Sequence, residues 1–300
     1  MTWLSPRQLL KCVGKALVST IYHDGIEHAG YLAFLGLLAM FPFLVFMVAV
    51  IGVLGQGAAG TEFITYLLNA LPKHLTAALQ PRIVEIVSGP PQGLLTFAIL
   101  GAIWTASSAV EGLRTVLNRA YHVETPPAYW LRRSLSILQL LIFTFITIVA
   151  MILVVAIPLL LHEIESLFRI AIIPENHAYV SRMVFVISVG VLFVTISAIY
   201  YTVPNIKQSF ISVAPGAAVA VLGWMGAAYT FTLYLSNFNQ VNLIYGSLGG
   251  IIAALVFFYV CNMIFIFGAE FNYQLVHILG LRIIQRENVP HSISPVEGSP

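Results

Sequence analysis

Six stretches of this chain are long and apolar enough to cross a lipid bilayer, and that property constrains the fold more than any motif. They run from about Tyr31 to Leu54, Gly93 to Val110, Ser134 to Leu161, Met183 to Val203, Phe210 to Leu235 and Tyr245 to Ala269. Each approaches or exceeds the roughly 20 residues that span a hydrocarbon core. Backbone N–H and C=O groups find no water inside lipid, so such segments must satisfy them within helices. The predicted fold is therefore all-α, a polytopic membrane protein of six transmembrane helices forming one domain over residues 1–285, with amphipathic interfacial helices. Composition agrees: 59% of the residues are hydrophobic and 9% charged, whereas about a quarter are charged in an ordinary soluble domain.

Six spans put both ends on one side of the membrane. Ten of the fourteen lysines and arginines, at 7, 11, 15, 114, 119, 132, 133, 207, 282 and 286, fall on the side of the termini, and those at 73, 82, 169 and 182 on the other. The positive-inside rule then predicts cytoplasmic termini. A net charge of +2 without a basic stripe gives no basis for nucleic-acid binding. Cys12 and Cys261 belong to segments of different depth, so no disulfide and no paired-cysteine metal motif is expected. The polar, basic start of the chain predicts no cleavable signal peptide.

Residues 5–24 read as an amphipathic helix lying on the membrane or packed beneath the bundle. Ser5 suits its cap and Pro6 its first position; Leu9, Leu10, Val13, Leu17 and Ile21 share one face, and Arg7, Lys11 and Lys15 another. Residues 60–90 predict short amphipathic helices on the outer side, broken by Pro72 and Pro81. The second span should continue past the membrane to about Tyr121 and turn at Pro126 and Pro127, and the chain should re-enter with Arg132 and Arg133 at the interface. Residues 286–300 predict a disordered cytoplasmic tail. Pro42 should interrupt the first span and free a backbone carbonyl.

The polar residues inside the apolar stretches are the candidate site. Glu270 stands near the end of the last span, where a lone charge in hydrocarbon would cost several kcal/mol. At 100° per residue Tyr259, Asn262, Tyr273, Gln274 and His277 fall on the same side as Glu270. Glu270 lies roughly 37 Å along the helix from Tyr245, close to the cytoplasmic boundary. Arg114 and Arg119, on the cytoplasmic extension of span two, should reach a similar height and could pair with it. Two roles stay open for Glu270: a lock between helices, or the wall of a cavity entered from the cytoplasm. A second group, Asn237, Asn239, Gln240 and Asn242, joins spans five and six, where Tyr245, Gly246 and Gly250 begin the last helix with a small-xxx-small spacing.

Asp24, Glu27 and His28, and likewise His162, Glu163 and Glu165, have types that ligate metals, but before or after a span they read as solvated or hydrogen-bonded groups. No phosphate-binding loop, His-Glu-x-x-His, Gly-x-Ser-x-Gly or dense metal cluster occurs in the sequence. The expectation is no catalytic constellation, no metal and no cofactor.

The stretches "AGYLAFLGLLAMFPFL", "IWTASSAVEGLRTVLNRAYHVE", "YYTVPN", "APGAAVAVLGW", "LYLSNFNQVNLIYGSLGGIIAAL" and "GAEFNYQL" together resemble the YihY/BrkB family of bacterial inner-membrane proteins, from about residue 20 to residue 280. That resemblance implies six helices in the bacterial inner membrane with both ends cytoplasmic. It marks Pro42, Trp104, Asn118, Arg119, Pro204, Pro215, Gly216, Tyr245, Gly246, Gly268, Ala269 and Glu270 as positions matching the family pattern. Ala39 and Met40 depart from it, where a small hydroxyl residue is usual; Glu111 is an unexpected acid, at a spacing to pair with Arg114. The family once carried a ribonuclease label, which fits poorly with a chain lacking a catalytic constellation and a basic groove.

Two functions follow. The leading expectation is a transporter of a small molecule or lipid-like substrate, through a cavity lined by Glu270, Asn262, Tyr259, Tyr273, Gln274, Arg114, Arg119, Asn118, Tyr245 and Asn242. The rival is a non-transporting scaffold for envelope assembly, whose polar residues only join helices. The partners expected are membrane lipids, the transported substrate and a second copy of the chain, with no nucleic acid.

Overall fold

A computed structural model of the protein describes residues 6–54, 92–123, 128–168, 177–236, 248–279 and 284–285. Seven helices occur among them: α1 (Pro6–Tyr22), α2 (Gly25–Leu54), α3 (Gln92–Ala120), α4 (Tyr129–Phe168), α5 (His177–Thr202), α6 (Phe210–Ser236) and α7 (Leu248–Ile278). Two short strands, β1 (Ile206–Lys207) and β2 (Ile284–Gln285), complete the described elements. The fold is all-α, as its composition requires. Stretches within α4, α5, α6 and α7 are long and apolar enough to cross a membrane, and Gly25–Met40 of α2 is a shorter apolar stretch. The predicted outer helices at 60–90, the amide-rich loop with Asn242, Tyr245 and the tail at 286–300 lie outside the described residues, as do the side chains of His162, Glu163 and Glu165.

Pro42 lies inside α2, which runs through it unbroken. The predicted interruption is therefore corrected: one missing N–H removes one ladder bond, and the bonds on either side keep the helix continuous.

The last helix is the axis of the assembly. α7 packs on α6, α2, α1 and α3, while α3, α4, α5 and α6 contact one another in chain order around it. The main core lies where α3, α5, α6 and α7 meet, around Leu117, Tyr121, Ile196, Tyr200, Val213 and Phe265. Two glycines bring α6 and α7 into backbone contact. A Cβ on Gly216 would stand 2.1 Å from the Gly268 carbonyl oxygen, and one on Gly268 would stand 2.5 Å from the Tyr200 hydroxyl and 2.7 Å from the Gly216 oxygen. Small residues let backbones approach in this way where no hydrophobic effect drives helices together.

Polar bonds hold the same crossing. Buried Asn272 accepts from the Gly216 N–H at 2.7 Å and donates to the Val213 carbonyl at 3.0 Å. The Tyr200 hydroxyl donates to the Phe265 carbonyl at 2.6 Å. Replacing Asn272 with leucine removes both bonds to the α6 backbone, at about 0.5–1.5 kcal/mol each; we expect a lower melting temperature, read by fluorescence-detected gel filtration after heating. β1 pairs antiparallel with β2, Ile206 opposite Gln285 and Lys207 opposite Ile284, so the segment after α7 is tied to the α5–α6 connection.

α1 packs mainly on α7. Its buried side chains, Cys12, Ala16, Ser19 and Thr20, recur at helical spacing and are all small. Leu9, Leu10, Val13, Leu17 and Ile21 stay uncovered by the chain, as do Arg7, Lys11 and Lys15. Helix α1 thus combines the two arrangements read from sequence: it docks on the bundle through a small-residue stripe and keeps an amphipathic face free. A Cβ at Gly25 would meet the Thr20 carbonyl oxygen at 2.5 Å, so glycine is what allows the chain to turn from α1 into α2 so tightly.

Candidate functional site

Glu270 has no exposed surface, so its charge or its proton must be met inside the protein. The partners come from α1 and the turn after it. Ser19 donates its hydroxyl to Oε2 at 2.8 Å, and Nδ1 of His23 lies 2.9 Å from Oε1 and 3.1 Å from the Ser19 oxygen. With its proton on Nδ1, His23 donates into that carboxylate–hydroxyl pair. About two turns back along α1, the Cys12 thiol donates to the Phe271 carbonyl at 3.7 Å. Burial pushes the Cys12 thiol above its ordinary range, with Lys15 partly offsetting the rise.

A second histidine enters from α3. His122 has φ 55° and follows the last turn of α3, with its N–H donating to the Arg119 carbonyl at 3.0 Å and the Val123 N–H to the Asn118 carbonyl at 2.8 Å. That pair of bonds is a Schellman ending, whose left-handed position usually holds glycine. The conformation costs a side-chain-bearing residue about 1–2 kcal/mol, and it aims the imidazole at His23, ring centroids 4.4 Å apart and nearly perpendicular. Tyr273 stacks on His122 at 4.2 Å and meets His277 edge-on at 4.6 Å. Burial lowers the His122 pKa below the usual imidazole value, and the neighbouring His23 and His277 lower it further. Tyr121, fully buried between the site and the core, has its phenol pushed well up by burial and then by the Glu270 charge.

A cleft of about 400 Å3 opens beside this cluster, lined by Gly14, Lys15, Val18, Ser19, Tyr22, His23 and Gln274. Ser19 and His23 are therefore shared: they wall the cleft and also hold the acid. A separate groove of about 330 Å3 between α4 and α5 is apolar throughout, with Phe145, Val149, Ile187 and Val194 among its lining residues.

The predicted pairing of Glu270 with Arg114 and Arg119 is corrected. Arg114 is buried, donates to the Val203 carbonyl at 2.9 Å and to Gln139, and lies 3.6 Å from Glu111. Arg119 pairs with Asp24. Height along the membrane normal alone suggested the arginines; direction around α3 decides otherwise, because Arg114 faces α4 and α5 while α1 and its turn cover the carboxylate. Glu111 does pair with Arg114 as the spacing suggested, accepts from the Ser136 hydroxyl at 2.8 Å and forms a second ion pair with Arg132 at 3.3 Å. Next to it, Arg133 lies 4.0 Å over the Trp104 ring and donates to the Ser108 hydroxyl and the Trp104 carbonyl.

Of the predicted site residues, Gln274 lines the cleft, Glu270 is buried behind Ser19 and His23, and Tyr273 stacks on His122. Asn118 instead accepts from the Asn205 N–H at 2.8 Å and braces the α5–α6 connection. Asn262 bonds its own helix at Phe258, and Tyr259 packs beside Leu32 and Val116. Asn242 and Tyr245 lie outside the described residues. In the Asp24, Glu27 and His28 group, Asp24 holds Arg119, Glu27 is exposed, and the His28 Nε2 is buried with no hydrogen-bond partner among the described residues. Both cysteines are free thiols. Sequence reading missed Ser19, His23, His122 and Asn272; the stripe Cys12–Ala16–Ser19–His23, with its spacings of four, three and four, was the available signal for the first two.

Apolar helices around a buried acid and interlocked polar side chains define an integral membrane protein. The family described as virulence factor BrkB matches residues 19–283, and the chain belongs to it. Among curated relatives, a ribonuclease-like protein, YfkH, of Bacillus subtilis (strain 168) is 34% identical over 188 residues, 62% of this chain and 66% of that protein. A UPF0761 membrane protein of Vibrio parahaemolyticus is 40% identical over 72 residues, 24% of this chain and 23% of that protein, and one of Photobacterium profundum is 38% identical over 77 residues, 26% and 24% of the two chains. The matches thus span about two thirds of the first relative and about a quarter of the others. No solved structure matches the chain.

Proposed function

We propose that the protein moves a small molecule or lipid-like substrate across the bacterial inner membrane, with six spans and cytoplasmic termini, and that α1 is the gate over the acid of α7. The observation that supports this reading is the origin of the acid's partners. An acid that merely clamped spanning helices would draw its hydrogen bonds from them. Glu270 draws its bonds from Ser19 and His23, in or just after α1, a helix that contributes no residue to the main core. Only small side chains of α1 are buried, so lifting uncovers Phe271 and Leu275 of α7 but withdraws no large α1 side chain from the bundle, and the cleft already stands at its flank.

A second reading, a non-transporting scaffold, is favoured by the complete burial of Glu270 and Asn272, since neighbours fill that part of α7. Hydrolysis of RNA ranks behind both: among the described residues Lys15 is the one permanently charged side chain lining the cleft, too little to hold a polyanion.

Reconstitution separates the first two. Vesicles holding the protein should speed either the exchange of a fluorescent phospholipid between leaflets or the passage of a small polar solute. A Leu275→Cys substitution, placed beside Cys12 in one apolar cluster, should stop that flux on oxidation and restore it on reduction. Vesicles no leakier than empty ones to both probes would leave the scaffold.

A further inference from the structure

We propose that His23, His122 and Glu270 form a binding site for a divalent transition-metal ion of the zinc or cobalt class. Each residue offers one ligand atom, and all three atoms lie within 4.8 Å of one another. The inference goes beyond the transport reading and does not depend on it.

Two imidazoles and one carboxylate are a donor set that suits borderline ions such as Zn2+ and Co2+. Mg2+ and Ca2+ fit poorly, because they ask for six or more oxygen ligands. Metal–nitrogen bonds of about 2.0–2.1 Å require ligand atoms some 3.3 Å apart in a tetrahedron, so a separation of up to 4.8 Å must close by as much as roughly 1.5 Å. The histidines are placed to do so. His23 lies in the turn between α1 and α2, and His122 in the left-handed turn after α3, where a small rotation moves the ring without disturbing a helix.

The surroundings already resemble an outer shell. The Ser19 hydroxyl holds Oε2 of Glu270 at 2.8 Å, leaving Oε1 turned toward His23. Tyr273 fixes the plane of the His122 ring by stacking. Such partners orient ligands and are worth tenfold or more in affinity. The cleft that reaches Ser19 and His23 supplies an entry path and room for an open coordination position. Bound metal would staple α1, α3 and α7 together at one end of the bundle.

The left-handed turn supplies the test. His122→Gly keeps the turn, since glycine is its preferred residue, and removes one ligand; His122→Asn is a second variant that tolerates the same backbone. Full-length protein without a histidine tag is stripped with chelator in detergent and titrated with Co2+, followed by visible absorption, then with Zn2+ by equilibrium dialysis. We expect one equivalent of Co2+ displaced by Zn2+, with affinity reduced at least tenfold in both His122 variants and unchanged in His277→Ala, all eluting as the wild type does. Wild-type protein that takes up no stoichiometric ion, or His122 variants that bind as tightly as wild type, would overturn the assignment.

Discussion

Gly268→Leu should leave no folded protein to extract from the membrane. Even a single added carbon at this position would stand 2.5 Å from the Tyr200 oxygen and 2.7 Å from the Gly216 carbonyl, and the second obstacle is backbone. Leucine must push α6 off α7, breaking the bonds of Asn272 to Gly216 and Val213 along with the packing of Val213 and Ala217. Overpacking a core costs about 1–3 kcal/mol when side chains can yield; here two helices must part, so the loss exceeds that range. Gly250→Leu is the control, because nothing lies within 4 Å of its added carbon. Fluorescence-detected gel filtration should show a normal peak for Gly250→Leu and aggregate for Gly268→Leu.

Glu270→Leu should release α1 while leaving the bundle assembled. The substitution takes the acceptor from Ser19 and His23 together, and hydrogen bonds to a charged group are worth about 1.5–3 kcal/mol each. Losing both bonds at once removes the polar tie that holds a helix whose buried side chains are all small. Trypsin reads the result: Lys11 and Lys15 are exposed on α1 but cut slowly while the helix is docked. Rapid cleavage of α1 with an unchanged elution profile is the expected outcome; loss of the whole protein would show instead that Glu270 locks the bundle itself.

These effects fall where sequence reading was weakest. The apolar segments were legible because every spanning helix must be long and nearly free of charge, and the end of α3 near Tyr121 was legible from the charged residues before the two prolines. The polar side of α7 was legible at Glu270, Tyr273 and Gln274 by angle alone. The partner of the acid was not. His23 and Glu270 are 247 positions apart and share no local spacing, and which neighbour covers a helix face is decided by docking of α1, not by depth. Asn272 escaped notice because it faces α6, away from Glu270. His122 carried no helical or metal-motif signal, since its role depends on a left-handed backbone that only the structure reveals. The pair of two-residue strands was too short to show an alternating pattern.

The account rests on α1 being held against α7 through the buried acid, and the thiol beneath α1 reports on that directly. In a Cys261→Ala background Cys12 is the single thiol, buried and with its pKa raised by burial, so little reactive thiolate is present at neutral pH. In nanodiscs at pH 7, wild-type Cys12 should react with a soluble maleimide slowly, and Glu270→Leu, which removes the acceptor of Ser19 and His23, should speed the reaction at least tenfold as α1 lifts. Fast labelling without the substitution, or the same slow rate with it, would contradict a helix pinned by Glu270.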